Sequence, residues 1–254
     1  MELFVAQDSI VRKIWGKSDT VLFIFAGASA EFALNKAVDW LYYTGKLPKD
    51  PLGRLFSTVG YARKIVFSSI EEANQSIDFI THIHASVEKN RGMAIPDWAY
   101  RDVLFMLIHY SIASFELLER KLSNAEKEEV YNVFYCVGLR MDLKELPDNY
   151  KDWLPVRDAH LKENLEKSKF TTDLFQQYKK HLGTIRFKLL IGVQKLIVPK
   201  IAKDKLFKNQ FVLLKPIIKI YKISKLVKMD SAIKNLLLPS EYKNQIKEID
   251  IPKQ

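Results

Sequence analysis

Apolar residues recur every three or four positions along most of this chain, and the strict alternation typical of β-strands is nearly absent. This spacing predicts amphipathic helices at about 18–43, 51–67, 69–90, 96–121 and 123–140. The chain has 254 residues, 48% of them hydrophobic, which is enough to bury one sizeable core. We therefore expect an all-α fold with a single multi-helix globular domain.

Several of these helices have recognisable start signals. Ser68 to Glu71 and Ser123 to Glu126 have the Ser-x-x-Glu form, in which the hydroxyl and the carboxylate each satisfy an exposed backbone amide. Pro51 and Pro96 lie where a first-turn proline costs no hydrogen bond. Loop signals fall at 44–49, 90–92 and 145–149.

Positive charge is concentrated at the C-terminal end. Residues 1–178 carry 22 Lys/Arg against 25 Asp/Glu, whereas residues 179–254 carry 18 against 5. Beyond Gly183, lysines alternate with aliphatic residues, and Pro199 and Pro216 break the pattern into short helices. We therefore predict a helical domain at 1–183 and a lysine-rich helical segment at 184–254, packed on the same domain.

This basic segment has two main interpretations. Its lysines either form solvated faces of helices that close the core, or they lie on an anionic membrane surface. Nucleic-acid binding is not expected, because no base-reading motif or aromatic platform accompanies the charge. The sequence does not predict an oligomeric state.

The N-terminus and the single cysteine indicate the compartment. No basic region precedes the apolar run at 21–28, which is too short to span a bilayer, so neither a signal peptide nor a transmembrane helix is predicted. Cys136 alone cannot form an internal disulfide framework or a cysteine-based metal site, and we expect it to be a small buried hydrophobe. We expect a cytoplasmic protein, in contact with a membrane only at its periphery.

Two histidines are candidate metal ligands. His84 shares a helical stripe with Ile80 and Val87, and His109 shares one with Phe105 and Ile112. A lone inward-facing histidine is usually a hydrogen-bonded core residue, but two of them can also bind one metal, or act as one ligand and one base.

Arg54 and Thr58 form an i, i+4 pair on one helix face. From composition alone Arg54 is a surface cation, a partner of a buried carboxylate, or a donor to an anion such as a propionate. Other catalytic motifs are absent: the sequence contains no glycine-rich phosphate loop, no Gly-x-Ser-x-Gly, no His-Glu-x-x-His and no Glu-x-x-His.

Four segments in order resemble the mpaB and rubber oxygenase family, which includes the latex-clearing proteins. They are Asp50-Pro51-Leu52-Gly53-Arg54 with Thr58, His84-Ala85-x-Val87, Leu107-Ile108-His109 through Glu119-Arg120, and Leu122-Ser123 through Tyr131. The resemblance covers about residues 20–160. It implies an all-helical fold that encloses haem b, and an oxygenase that acts with O2 on a hydrophobic substrate such as an isoprenoid or another lipid.

The resemblance also implies roles for single residues. His84 matches the proximal iron ligand, and Arg54 and Thr58 match the family's Arg-x-x-x-Thr pair, which we expect to stabilise negative charge on the distal side. His109 matches a further family histidine and is a second candidate for the cofactor site. The family's upstream Ala-His-Pro element is replaced by Ala-Leu-Asn-Lys-Ala-Val at 33–38, and the nearest acids to its upstream carboxylate are Glu31 and Asp39. An alternative function is therefore a non-catalytic haem- or lipid-binding helical protein.

Overall fold

Ten α-helices make up most of the chain that the computed structural model describes, which is residues 2–45 and 49–207 without the side chains of Leu55 and Phe56. Their bounds are α1 Ile10–Trp15, α2 Ser18–Leu34, α3 Val38–Tyr43, α4 Pro51–Phe67, α5 Ile70–Arg91, α6 Asp97–Leu118, α7 Asn124–Arg140, α8 Tyr150–Asn164, α9 Lys169–Ile197 and α10 Lys200–Leu206. Within these residues there is no β-strand, only two isolated bridges. The expected all-α fold is confirmed.

The helix bounds follow the apolar spacing closely, with one interruption. The helix predicted at 18–43 is divided into α2 and α3, because Asn35 adopts an extended conformation. Its side chain accepts a hydrogen bond from the Ala37 amide at 2.8 Å and donates one to Asp102 at 2.7 Å. Asparagine thus ends α2 by giving the backbone a partner outside the helix.

The predicted capping signals are correct in one case and displaced by one residue in the other. Ser123 and Glu126 form the expected capping box at the start of α7. At the start of α5 the box is formed by Ser69 and Glu72, not by Ser68 and Glu71. Gly92 ends α5 in a left-handed conformation with φ 71°, which glycine adopts without steric cost.

An antiparallel pair of helices, α2 and α6, forms the centre of the core. Glu31 contacts Tyr110 and Asn35 contacts Asp102, so the two helices run in opposite directions. A Cβ at Gly27 would lie 2.3 Å from the Tyr110 ring. A glycine at this position therefore permits the close approach of the two helices.

The helices α4 and α5 form a second antiparallel pair beside the core. Buried residues on α5 are confined to its N-terminal half, at Ala73, Ser76 and Ile77. In its C-terminal half a half-buried stripe that includes Ile80, His84 and Val87 continues the same face. The pairing places this stripe next to the first turns of α4.

The kinked helix α9 crosses the predicted boundary at Gly183, while Pro216 and the rest of 208–254 lie outside the described residues.

Cys136 is exposed, so its prediction as a buried residue is wrong. It shares an outward-facing stripe of α7 with Asn132 and Arg140. None of the described helices is long and apolar enough to cross a membrane.

Candidate active site

The first turn of α4 is built by a capping motif that places Arg54. Asp50 is the N-cap and accepts a hydrogen bond from the Gly53 amide at 2.8 Å, and Pro51 occupies the first turn. A Cβ at residue 53 would lie 2.0 Å from the Asp50 carboxylate, so the observed position of this carboxylate depends on glycine at residue 53. The conformation of this motif holds Arg54 in the first turn of the helix.

Arg54 is half-buried, and burial lowers the pKa of its guanidinium. Within the described part of the chain no carboxylate forms an ion pair with Arg54, and its guanidinium interacts electrostatically with Tyr61 and with His84. A partly desolvated cation that is not ion-paired with a carboxylate is suited to binding an anion or developing negative charge.

His84 projects from α5 towards Arg54. Burial is the main cause that lowers the pKa of His84, and the positive charge of Arg54 lowers it further, while Glu88 opposes both. The imidazole Nδ1 is buried and has no hydrogen-bond partner among the described residues. The ring packs against Tyr100 of α6, with 5.1 Å between the ring centroids. His84 is thus a neutral imidazole near pH 7, the form that binds metals.

Glu88 lies one helical turn beyond His84 and is held in place by two donors. The Tyr100 hydroxyl donates to Glu88 Oε1 at 2.9 Å, and the Ile95 amide donates to the same oxygen at 2.8 Å. These bonds join the end of α5 to the start of α6. The carboxylate therefore stays at a constant position relative to His84.

The end of α5 is also tied to α3. Arg91 donates to Asp39 at 2.7 Å, and its guanidinium lies 3.9 Å from the centroid of the Trp40 ring. Tyr43 donates to the Asn90 carbonyl at 2.7 Å. Because Asp39 is paired with Arg91, it is not an unpaired acid next to Arg54.

Thr58 lies one turn after Arg54, as its spacing predicted, but its hydroxyl is used locally. It donates to the Arg54 carbonyl at 3.1 Å. Its oxygen retains capacity to accept a hydrogen bond, whereas a role as donor requires rotation of the hydroxyl.

His109 lies in a different environment from His84. Tyr100, which packs on His84, precedes His109 by nine residues on α6, about 13 Å along the helix axis. Burial, together with the charge of Arg157, lowers the pKa of His109 to about 3. A hydrogen bond with the Ile197 backbone acts in the opposite direction and raises the pKa. Its Nε2 has no hydrogen-bond partner among the described residues. Of the four predicted site residues, Arg54 and His84 lie close enough to interact and Thr58 lies one turn after Arg54. His109 lies elsewhere on α6, half-buried and with its Nε2 enclosed.

Sequence reasoning missed a buried ionic cluster next to His109. Glu31 of α2 is 0% exposed and accepts hydrogen bonds from the Tyr110 hydroxyl at 2.8 Å and from Arg157 at 2.6 Å. The signal in the sequence was an acid in the middle of an apolar run of the helix 18–34, where a carboxylate is rarely fully buried without a partner. Its partner Arg157 lies on α8, too far along the chain to be paired from spacing.

A second missed cluster joins three helices around Asp102. His160 Nδ1 lies 2.5 Å from Asp102 Oδ1, and Asn35 and Asn164 donate to Oδ2 at 2.7 and 2.9 Å. This cluster fixes the junction between α2 and α3 against α8. In the described residues, no three His, Cys, Asp or Glu side chains converge in a way that would hold a metal ion.

The family described as ER-bound oxygenase mpaB/B′/rubber oxygenase, catalytic domain, matches residues 13–204 of this chain. The chain belongs to this oxygenase family. The match includes the capping motif of α4, His84, His109 and both buried clusters, and it runs through Gly183 without interruption. Comparisons with curated proteins and with solved structures found no match. The resemblance drawn from four short segments is thus confirmed, and the family match extends over residues 13–204.

Proposed function

We propose that this oxygenase-family protein uses haem b, with His84 as the iron ligand, to oxidise a hydrophobic substrate. The observation that supports this most directly is the state of His84. A histidine that served only the core would normally have a partner for its buried nitrogen, but Nδ1 of His84 has none among the described residues. A neutral imidazole next to a partly desolvated arginine fits a haem site in which the protein supplies one axial ligand.

Haem bound at His84 would supply the activation of O2, which protein side chains alone do not provide. The chain itself contributes the position of the ligand and the electrostatics around it. Tyr100 packs on the ring of His84, and Glu88 sets the local charge one turn away. The bonds from Tyr100 and Ile95 to Glu88 hold these groups in a constant arrangement.

Arg54 is the residue we assign to stabilisation of negative charge. Its guanidinium is partly desolvated, so a charge-assisted hydrogen bond from it is stronger than one in water. Thr58 lies one turn away, and its hydroxyl donates to the Arg54 carbonyl at 3.1 Å. The capping motif of α4 orients Arg54 before any substrate binds, so that orientation costs no free energy during the reaction.

The apolar side chains near Arg54 and His84 favour a hydrophobic substrate. Tyr61 interacts electrostatically with Arg54, and its ring centroid lies 6.1 Å from that of Phe79 on α5, which is 53% exposed. On the other side of His84, Val87 packs on a cluster formed by Ala37, Trp40 and Ala99. An isoprenoid or another lipid would bury such surfaces on binding.

A second candidate function is a haem- or lipid-binding protein without turnover. It is favoured by the state of the two upstream acids, since Glu31 is paired with Arg157 and Asp39 with Arg91. Neither is available as a base next to Arg54. Haem retention without oxygen consumption would select this candidate.

The cofactor is tested by the absorbance spectrum and pyridine haemochrome of the purified protein, reconstituted with haemin where needed. We expect near-stoichiometric haem b in the wild type, its loss in His84→Ala, and its retention in His82→Ala. His82 is a matched control because it lies two residues earlier on the same helix and is exposed. Unchanged haem in His84→Ala would remove His84 from the role, and a wild type that binds no haemin would overturn the cofactor proposal.

Turnover is tested separately with Arg54→Ala. We expect this variant to keep its haem but to consume O2 with a lipid substrate at least about a hundredfold more slowly, which is the usual cost of losing one donor to developing charge. Unaltered consumption would contradict the assigned role of Arg54 without affecting that of His84.

A further inference from the structure

A stretch with positive but no negative side chains begins in α9 and continues into α10. From residue 174 to residue 203 the chain has seven Lys/Arg and no Asp/Glu. The last acid before it, Asp173, accepts a hydrogen bond from Tyr42 at 2.8 Å. The positive charge of this stretch is therefore not interrupted by an acidic residue until Asp204.

This stretch is folded into a sharp hairpin at Gly183. Gly183 has φ 72° and ψ 172°, a conformation available essentially only to glycine. The rings of Phe175 and Phe187, on either side of it, lie 6.5 Å apart, whereas a straight helix would separate these positions by about 18 Å. The two arms, which we call the α9 hairpin (residues 174–191), thus pack against each other.

The tip of the α9 hairpin combines an exposed aliphatic side chain with exposed lysines. Ile185 is 78% exposed, the largest value for a big hydrophobic residue in the described part of the chain. Lys179, Lys180 and Lys188 are exposed on the same hairpin, and His181 is exposed between them. An aliphatic group surrounded by cations matches the boundary between lipid headgroups and acyl chains.

We propose that the α9 hairpin docks on an anionic phospholipid bilayer. Ile185 enters the outer part of the acyl region, and Lys179, Lys180 and Lys188 bind lipid phosphates through their ammonium groups. A bilayer fits better than a nucleic acid, because the exposed apolar residue at the tip is aliphatic and offers no ring on which a base could stack.

The hairpin is connected to the candidate active site through one apolar cluster. Leu174 and Tyr178 of its first arm are buried in this cluster with Leu52, which lies two residues before Arg54 in the capping motif of α4. Docking would therefore bring the start of α4 close to lipid-soluble molecules. The proposal rests on the hairpin surface and does not depend on haem or on turnover.

Sedimentation of the full-length protein with vesicles tests this proposal. The vesicles contain phosphatidylcholine alone or phosphatidylcholine with phosphatidylserine. We expect binding that requires phosphatidylserine and weakens as salt is added. Lys179→Gln/Lys180→Gln should bind about 25-fold more weakly, since each lysine near such a surface contributes about fivefold, and Ile185→Ser about tenfold more weakly.

The matched controls are Lys13→Gln/Lys151→Gln and Leu154→Ser, which remove exposed lysines and an exposed leucine elsewhere on the protein. They should bind like the wild type. The proposal is overturned if the hairpin variants bind like the wild type, if phosphatidylserine makes no difference, or if no vesicles are bound. It is also overturned if duplex DNA binds as tightly as the vesicles and Ile185→Ser has no effect, since that result indicates a nucleic-acid surface.

Discussion

Asp50 and Gly53 depend on each other at the start of α4. Asp50 Oδ1 accepts a hydrogen bond from the Gly53 amide at 2.8 Å, and a Cβ at residue 53 would approach Oδ2 to 2.0 Å. A side chain at residue 53 would therefore displace the Asp50 carboxylate from this position. Arg54 is the next residue, so the same glycine that permits the cap also determines where the guanidinium begins.

Gly53→Ala should move the Asp50 carboxylate while the free energy of unfolding changes little. Loss of the cap costs about 1 kcal/mol, but alanine in place of glycine within a helix returns about 1 kcal/mol. The free energy of unfolding, measured by urea denaturation, should change by less than about 1 kcal/mol. Amide hydrogen exchange at residues 53 and 54 should become faster, because the bond to Asp50 is broken.

Gly60→Ala is the control on the same helix. Nothing lies within 4 Å of a Cβ built at Gly60, so this variant should gain roughly 0.5–1 kcal/mol with unchanged exchange at the first turn. If Gly53→Ala gained as much as Gly60→Ala, the Asp50 cap would not contribute to stability.

His109 should make the fold sensitive to acid. Its pKa in the folded protein is about 3, lowered mainly by burial and then by Arg157, from an ordinary value of 6.5. As pH falls below 6.5, the unfolded chain takes up a proton at this histidine and the folded protein does not. The stability contributed by the buried neutral ring is therefore complete above pH 6.5 and is lost progressively as pH falls towards 3.

The measurement compares the pH dependence of the free energy of unfolding in the wild type and in His109→Gln. Between about pH 6 and pH 4 the wild type should lose up to about 1.4 kcal/mol per pH unit more than the variant. Comparing slopes removes the cost of the substitution itself. Equal slopes, or a His109 pKa near 6.5 by NMR titration, would contradict the predicted burial of a neutral ring.

The helices and the position of Arg54 were predictable because they depend on local chemistry. Apolar spacing, first-turn prolines and Ser-x-x-Glu signals act within a few residues, and α4 begins and ends where the spacing predicted. The break at Asn35 was missed, because the amide that stabilises it donates to Asp102 on another helix. Cys136 was misplaced because its apolar sequence neighbours were given more weight than its position on an outward-facing stripe of α7.

The environments of the two histidines were not predictable, because they are formed by helices distant in sequence. His84 acquires its neutral state from burial against Tyr100 and from Arg54. His109 acquires its neutral state from burial and from Arg157, against the effect of its hydrogen bond with the Ile197 backbone. Spacing along a single helix shows which way a side chain points but not what it meets. Similarity to a family assigned Arg54 and His84 to one cofactor site, on opposite sides of the iron, which spacing along either helix could not do.

The two charges next to His84 should move its pKa in opposite directions in the haem-free protein. Arg54 lowers the pKa of His84 and Glu88 raises it, while burial remains the largest cause. Arg54→Gln should therefore raise the pKa, and Glu88→Gln should lower it further. Both values should stay below 6.5, since neither substitution exposes the ring.

NMR titration of the His84 imidazole, assigned by comparison with His84→Gln, measures this effect. Glutamine at position 88 keeps an acceptor for the Tyr100 hydroxyl and the Ile95 amide, so the variant removes charge with little loss of structure. Tyr100→Phe is the control for the hydrogen bond alone and should shift the pKa less than Glu88→Gln does. If Arg54→Gln and Glu88→Gln moved the pKa in the same direction, His84 would not lie between these two charges, and Arg54 would lose its place beside the candidate iron ligand.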